Sequence, residues 1–194
     1  MVKNSLCKIS SSDSSGFTFA ITKMSKTANI HGSIEGTRLH GEVSYSIPQE
    51  VQQDARISGH RAINVLFGTF SHPPDMNGTT PISPSVTLSL ATESGEELNI
   101  SSLSQSINIT IPWSAKRLCG NETHIFHGQG RCMHWDAQSQ TYSPAGCETV
   151  RISDTHMTCM CNHLTTFIIE PELVPFVPDC SHCMSVAPRC MSTT

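Results

Sequence analysis

Two cysteines one residue apart, Cys159 and Cys161, constrain this chain more than any other feature. On a β-strand, residues i and i+2 point to the same face. Both thiols are then offered to one side of a sheet, where each can meet a cysteine on a neighbouring strand. Cys132 and Cys147 lie upstream, and four cysteines allow three pairings. Each bridge would close a short loop and stabilise the fold by about 2–4 kcal/mol. A rival use of the same atoms is a zinc site built from Cys159, Cys161, His163 and the Cys180-x-x-Cys183 pair. Zinc knuckles usually space their cysteines as Cys-x-x-Cys, so the Cys-x-Cys spacing favours bridges over metal.

The rest of the chain supplies strands for those bridges to join. Phe17-Thr18-Phe19-Ala20-Ile21-Thr22, Glu42-Val43-Ser44-Tyr45-Ser46-Ile47, Val86-Thr87-Leu88-Ser89-Leu90 and Ile107-Asn108-Ile109-Thr110-Ile111 all alternate with period two, the signature of a half-buried strand. Residues 62–70 are apolar and rich in β-branched and aromatic side chains, as in a buried strand. Pro48 opens a polar stretch suited to one helical turn. Turn residues separate the strands, around Pro73-Pro74-Asp75 and at Ser94-Gly95. Short strands punctuated this way predict an all-β fold, a disulfide-stapled β-sandwich. Its expected extent is 17–170, after a Ser-rich, disordered or truncated stretch over 1–16 and before a flexible Pro- and Cys-containing linker over 171–194.

Composition narrows the compartment and the partners. Nine cysteines in 194 residues point to an oxidising environment. The odd count leaves at least one, among Cys7, Cys119, Cys180, Cys183 and Cys190, unpaired or paired outside the chain. Asn77, Asn99, Asn108 and Asn121 each open an Asn-x-Ser/Thr glycosylation triplet. On the alternating strand Asn108 faces away from the isoleucines, which puts its glycan outside. Net charge is −4 and only 14% of residues are charged, so no basic surface calls for a nucleic-acid partner. No signal peptide or membrane-spanning run is visible, so an extracellular or lumenal chain of this kind is expected to be a fragment of a longer protein or a stand-alone one. The residues point to no cofactor.

The chemistry sits immediately after the cysteine pair, in Asn162-His163-Leu164-Thr165-Thr166-Phe167. A threonine hydroxyl becomes a nucleophile when a neighbouring base takes its proton, and histidine is the usual base near neutral pH. Here the two flank one peptide bond, Leu164–Thr165. The hydroxyl could attack the carbonyl just before its own residue, converting amide to ester for water to hydrolyse. His163 alone is weak, since the chain has ten histidines. Its weight comes from the Leu-Thr that follows.

These residues resemble a known family. Cys132-x-x-Trp135-Asp136, then Tyr142-Ser143-Pro144-Ala145-Gly146-Cys147, then Cys159-x-Cys161-Asn162-His163-Leu164-Thr165-x-Phe167 is similar to the GPS motif that closes the GAIN domain of adhesion G-protein-coupled receptors and polycystin-like proteins. The similarity spans 131–170, with Tyr142 where tryptophan is usual. It implies a GAIN subdomain B-like sandwich with bridges Cys132–Cys159 and Cys147–Cys161. It also implies His163 as base, Leu164 as acyl side and Thr165 as nucleophile, and a chain that is a fragment of a longer membrane protein.

The expected activity is therefore self-cleavage only, with no turnover on other substrates. The cleaved C-terminal segment stays hydrogen-bonded in the sheet as the chain's own partner, next to a membrane-embedded region of the parent protein. Glu170-Pro171 would interrupt that segment early, a departure that weakens a tethered-agonist role. Trp135 is read as a core residue against the bridges, and Asp136 as a turn cap. The competing expectation is a non-cleaving structural or adhesive domain.

Overall fold

A computed structural model describes residues 7–9, 17–24, 29–35, 41–70, 82–113 and 124–175. Two antiparallel sheets carry nearly all of the regular structure. The first is ordered β1-β2-β5-β6-β13-β9-β10, with β7 added beside β6. These are β1 (Cys7–Ile9), β2 (Phe17–Lys23), β5 (Ile63–Phe70), β6 (Ser85–Thr92), β7 (Glu97–Leu98), β9 (His124–Asp136), β10 (Thr141–Ser143) and β13 (Thr166–Pro175). The second sheet is ordered β11-β12-β8-β4-β3: β3 (Ile30–Glu35), β4 (Glu42–Ile47), β8 (Ile107–Pro112), β11 (Cys147–Arg151) and β12 (His156–Cys161). A 3-10 turn, Gln49–Gln53, follows Pro48 and leads into one turn of helix, Ala55–Ser58.

The alternation read from the sequence is what pairs the sheets face to face. Val43, Tyr45 and Ile47 of β4, Ile107, Ile109 and Ile111 of β8, and Val86, Leu88 and Leu90 of β6 are all buried and meet in one core. Phe67 and Phe167 are almost wholly buried in it. Each large side chain removed from water in this way contributes about 1.5–3 kcal/mol. Tyr45 crosses the layer boundary to Phe67, with ring centroids 4.6 Å apart.

The two disulfides have different jobs. Cys132 on β9 joins Cys159 on β12, so this bridge ties one sheet to the other through the core. Cys147 and Cys161 face each other directly in the β11–β12 ladder, so the second bridge pins the edge strand β11 to its neighbour. The thiols of Cys159 and Cys161 are consumed in these bonds. The zinc set of Cys159, Cys161 and His163 is thereby corrected, because a disulfide sulfur is no thiolate ligand. Cys180 and Cys183 lie outside the described residues.

Three local readings also change. Strand β1 pairs with β2 inside the stretch expected to precede the sandwich. The last strand does not stop at Pro171: it runs to Pro175 along β9, with a register shift between Pro171 and Leu173. A proline has no N–H to give the ladder, and a bulge lets the strand pass it and resume. Trp135 is half-buried and sits edge-on to Tyr142. Alternation puts it on the opposite face of β9 from Cys132, so it does not pack against the bridge.

Candidate functional site

The residues between β12 and β13 must change sheets, because β12 belongs to the second sheet and β13 to the first. Only residues 162–165 make that crossing. Backbone hydrogen bonds hold the crossing at Asn162, Leu164 and Thr165. The amide of Asn162 donates to the carbonyl of Gly146 at 3.0 Å, and its carbonyl accepts from Leu103 at 2.7 Å. The Leu164 amide donates to the Ile100 carbonyl at 3.0 Å, and the Thr165 carbonyl accepts from Leu88 at 3.0 Å. The Leu164–Thr165 bond is thus held from both sides, while Leu164 packs its side chain against the core.

His163 comes one residue before this bond and is half-buried. Its Nδ1 lies 3.0 Å from Asn162 Oδ1. The amide oxygen only accepts, so Nδ1 carries the proton and Nε2 keeps the lone pair. That Nε2 is buried with no hydrogen-bond partner. The ring lies edge-on to His134, centroids 4.1 Å apart, and stacks at 5.8 Å on Phe167. Burial first, and the neighbouring His134 second, hold the His163 pKa down at about 4. Burial likewise lowers His134, against the opposing pull of Asp136. Both imidazoles are neutral at pH 7, the form in which a histidine can accept a proton.

The Thr165 hydroxyl is engaged on the neighbouring strand. Oγ1 donates to the backbone carbonyl of Trp135 at 3.1 Å. The next residue, Thr166, shares a hydroxyl–hydroxyl bond of 2.8 Å with Thr87, which fixes the entry of β13 against β6.

Some participants escape a motif-based reading. Gly146 has φ +70°, and a Cβ there would come within 2.5 Å of Asn162 Oδ1 and 3.1 Å of His163 Nδ1. Only glycine combines that backbone with that close approach. His134 reaches His163 because β9 pairs with β13, placing it opposite Phe167. Trp135 contributes through its carbonyl, which no sequence pattern reports. Asp136 caps the β9–β10 turn, its carboxylate accepting from the Gln138 amide and the Ser139 hydroxyl.

Of the glycosylation triplets, Asn99 is exposed, next to the Ile100 that holds the crossing. Asn108 is half-buried between buried Ile107 and Ile109, paired across to Met160 and Ser46. Asn77 and Asn121 lie outside the described residues, as do Cys119 and Cys190. Among the described residues, no helix is long and apolar enough to cross a membrane.

An antiparallel sandwich that feeds its last strand through a four-residue, disulfide-flanked His-Leu-Thr crossing defines a GAIN-type module. The family model for the GPS motif, described as GAIN subdomain B, matches residues 7–169, and the chain belongs to this family. It is 29% identical over 148 residues to adhesion G-protein coupled receptor F1 of Mus musculus, covering 73% of this chain and 16% of the receptor. It is 42% identical over 40 residues to adhesion G protein-coupled receptor E2 of Rattus norvegicus, covering 20% of this chain and 4% of the receptor. The chain therefore spans under a fifth of the length of these relatives. The fold is similar to that of the full extracellular region of zebrafish Gpr126/Adgrg6, with TM-score 0.54 and 18% identity over 84% of this chain and 23% of that one.

Proposed function

We propose that this domain cleaves its own Leu164–Thr165 bond and then keeps its two pieces together, as an extracellular module of a larger membrane receptor. The observation that carries the reading is the neutral His163, its Nε2 without a hydrogen-bond partner, one residue before a peptide bond that is held on both sides. Holding the reacting groups in place supplies much of what an intramolecular attack needs. Thr165 Oγ1 leaves Trp135, passes its proton to His163 Nε2 and bonds to the Leu164 carbonyl carbon. Collapse of the tetrahedral adduct breaks the C–N bond, and the proton held by His163 goes to the departing Thr165 nitrogen. The product is an ester between Leu164 and the Thr165 side chain. Water hydrolyses it to a Leu164 carboxylate and a free Thr165 amine and hydroxyl. No foreign substrate is turned over.

Retention follows from β13. Phe167, Ile168 and Ile169 are fully buried, and β9 pairs with the strand along most of its length. The adhesion-receptor relatives and the glycosylation triplets at Asn77, Asn99, Asn108 and Asn121 support an extracellular setting with a membrane-embedded region elsewhere in the parent protein. The hydroxyl's bond to Trp135 rather than to His163 favours a second reading, in which the crossing folds but does not cut. The two separate in one experiment: intact masses of the secreted chain under denaturing conditions. Pieces split at Leu164–Thr165, absent from Thr165→Ala, support cleavage. A single uncut mass makes the domain structural.

A further inference from the structure

We infer that His134 and His163 together form a binding site for a divalent transition-metal cation of the zinc class, which occupies the proposed base and holds cleavage off. The two imidazoles lie at a centroid distance of 4.1 Å, and one ligand atom from each lies, with Cys147 Sγ, within 4.8 Å of the others. Among the described residues this is the one gathering of three such ligand atoms. His134 Nδ1 and His163 Nε2 are both enclosed by protein, and neither has a hydrogen-bond partner. A buried polar nitrogen without a partner is costly and calls for an explanation. One ion between the two edge-on rings would serve both.

The donor chemistry fits the class of ion. Neutral imidazole is the ligating form of histidine and suits zinc, copper and nickel better than magnesium or calcium. Zinc–nitrogen bonds of about 2.0–2.1 Å bring two ligating nitrogens to about 3.3 Å from each other in a tetrahedral site. The ligand atoms, within 4.8 Å of one another, would close to that spacing around the ion. Cys147 lends no thiolate, because its sulfur is bonded to Cys161. The ion would therefore hold two imidazoles and complete its shell with water. Asn162, hydrogen-bonded to His163 Nδ1, would orient the ring as second partners do for metal-bound histidines.

The site stands by itself, whereas its effect on cleavage rests on the reading of His163 as the base. Calorimetry of the secreted Thr165→Ala chain with zinc chloride at pH 7.5 is expected to show one ion bound per chain. His134→Phe and His163→Phe, each added to that background, are expected to weaken binding at least tenfold. Absence of binding, or undiminished affinity in both double variants, would overturn the site. Copper(II) bound to the Thr165→Ala chain provides a readout that does not depend on those variants folding. Its electron paramagnetic resonance spectrum should carry coupling from two imidazole nitrogens, and one or none would sink the assignment. For the coupling, zinc chloride added to cells secreting the unmodified chain should lower its cleaved fraction. An unchanged fraction, with binding intact, would remove the coupling and leave the site. A chain that never cleaves yet binds zinc through both histidines would remove the cleavage reading alone.

Discussion

The Thr165 hydroxyl donates to the carbonyl oxygen of Trp135 across 3.1 Å, so the would-be nucleophile is parked on the neighbouring strand β9. Attack needs that bond to break and the side chain to turn toward Leu164. Thr165→Ser keeps the hydroxyl and loses the methyl that restricts χ1. Thr165→Val keeps the shape and loses the nucleophile. The Ser variant is expected to be cleaved and the Val variant to be uncut. Val also leaves the Trp135 carbonyl without its donor, at a cost of about 1–3 kcal/mol. Intact mass and a thermal melt read the two effects separately.

Gly146 positions His163 without touching any reacting atom. An alanine there meets two penalties at once. The left-handed backbone at φ +70° costs an L-residue about 1–2 kcal/mol, and the Cβ contact with Asn162 Oδ1 adds an overpacking term of about 1–3 kcal/mol. Gly146→Ala is therefore expected to lower the melting temperature by about 5–15 °C. It should also displace Asn162 and His163, so the surviving folded chain should be uncut. A folded, fully cleaved Gly146→Ala chain would show that the crossing does not depend on this approach.

How much of this was readable in advance follows the range of the interactions. The strands of Val43, Tyr45 and Ile47, and of Ile107, Ile109 and Ile111, announce themselves because alternation is local and burial follows it. The His163-Leu164-Thr165 run is equally local. By contrast, His134 comes to His163 through the β9–β13 ladder, at a separation of 29 residues (163 − 134). The Trp135 carbonyl belongs to the backbone and leaves no mark on residue identity. Pro171 looked like a stop because proline removes a ladder donor. The bulge beyond it is a tertiary solution that β9 provides. Trp135 reads as core against the bridges, yet residues three apart on a strand, such as Cys132 and Trp135, lie on opposite faces.

Acid should loosen the domain in a defined window. The His163 pKa falls from 6.5 to about 4 on folding, through burial and then His134, and that of His134 shifts the same way. Below pH 6.5 the unfolded chain takes up protons that the folded chain refuses until about pH 4. The unfolded state binds more protons there, so stability rises with pH across this window and is flat above it for these groups. Denaturant midpoints of the Thr165→Ala chain at pH 7.5, 6 and 5 should fall in that order. His163→Asn in the same background should flatten the trend. Because His163, the proposed base, stays neutral down to about pH 5, the cleaved fraction should be the same whether the chain folds at pH 7.5 or pH 6.

After a cut, the hold on the C-terminal piece depends on what β13 buries. Its ion pair, Glu170 with an exposed Arg131 at 3.3 Å, is a surface pair worth about 0–1 kcal/mol. Phe167 is the larger anchor: it is fully buried, pairs with Val86 on one side and His134 on the other, and stacks on His163. Truncating such a ring costs about 3–5 kcal/mol. Both described disulfides lie on the N-terminal side of Leu164 and cannot substitute for it. Phe167→Ala, in chain that has been cleaved, is expected to release the C-terminal piece at a clearly lower urea concentration than the unmodified chain. Glu170→Gln should leave the release point nearly unchanged. Affinity capture of the N-terminal piece across a urea series, scoring what co-elutes, makes the comparison. If Glu170→Gln released the piece as readily as Phe167→Ala, the hold would be electrostatic and the buried strand would not be what keeps the two pieces together.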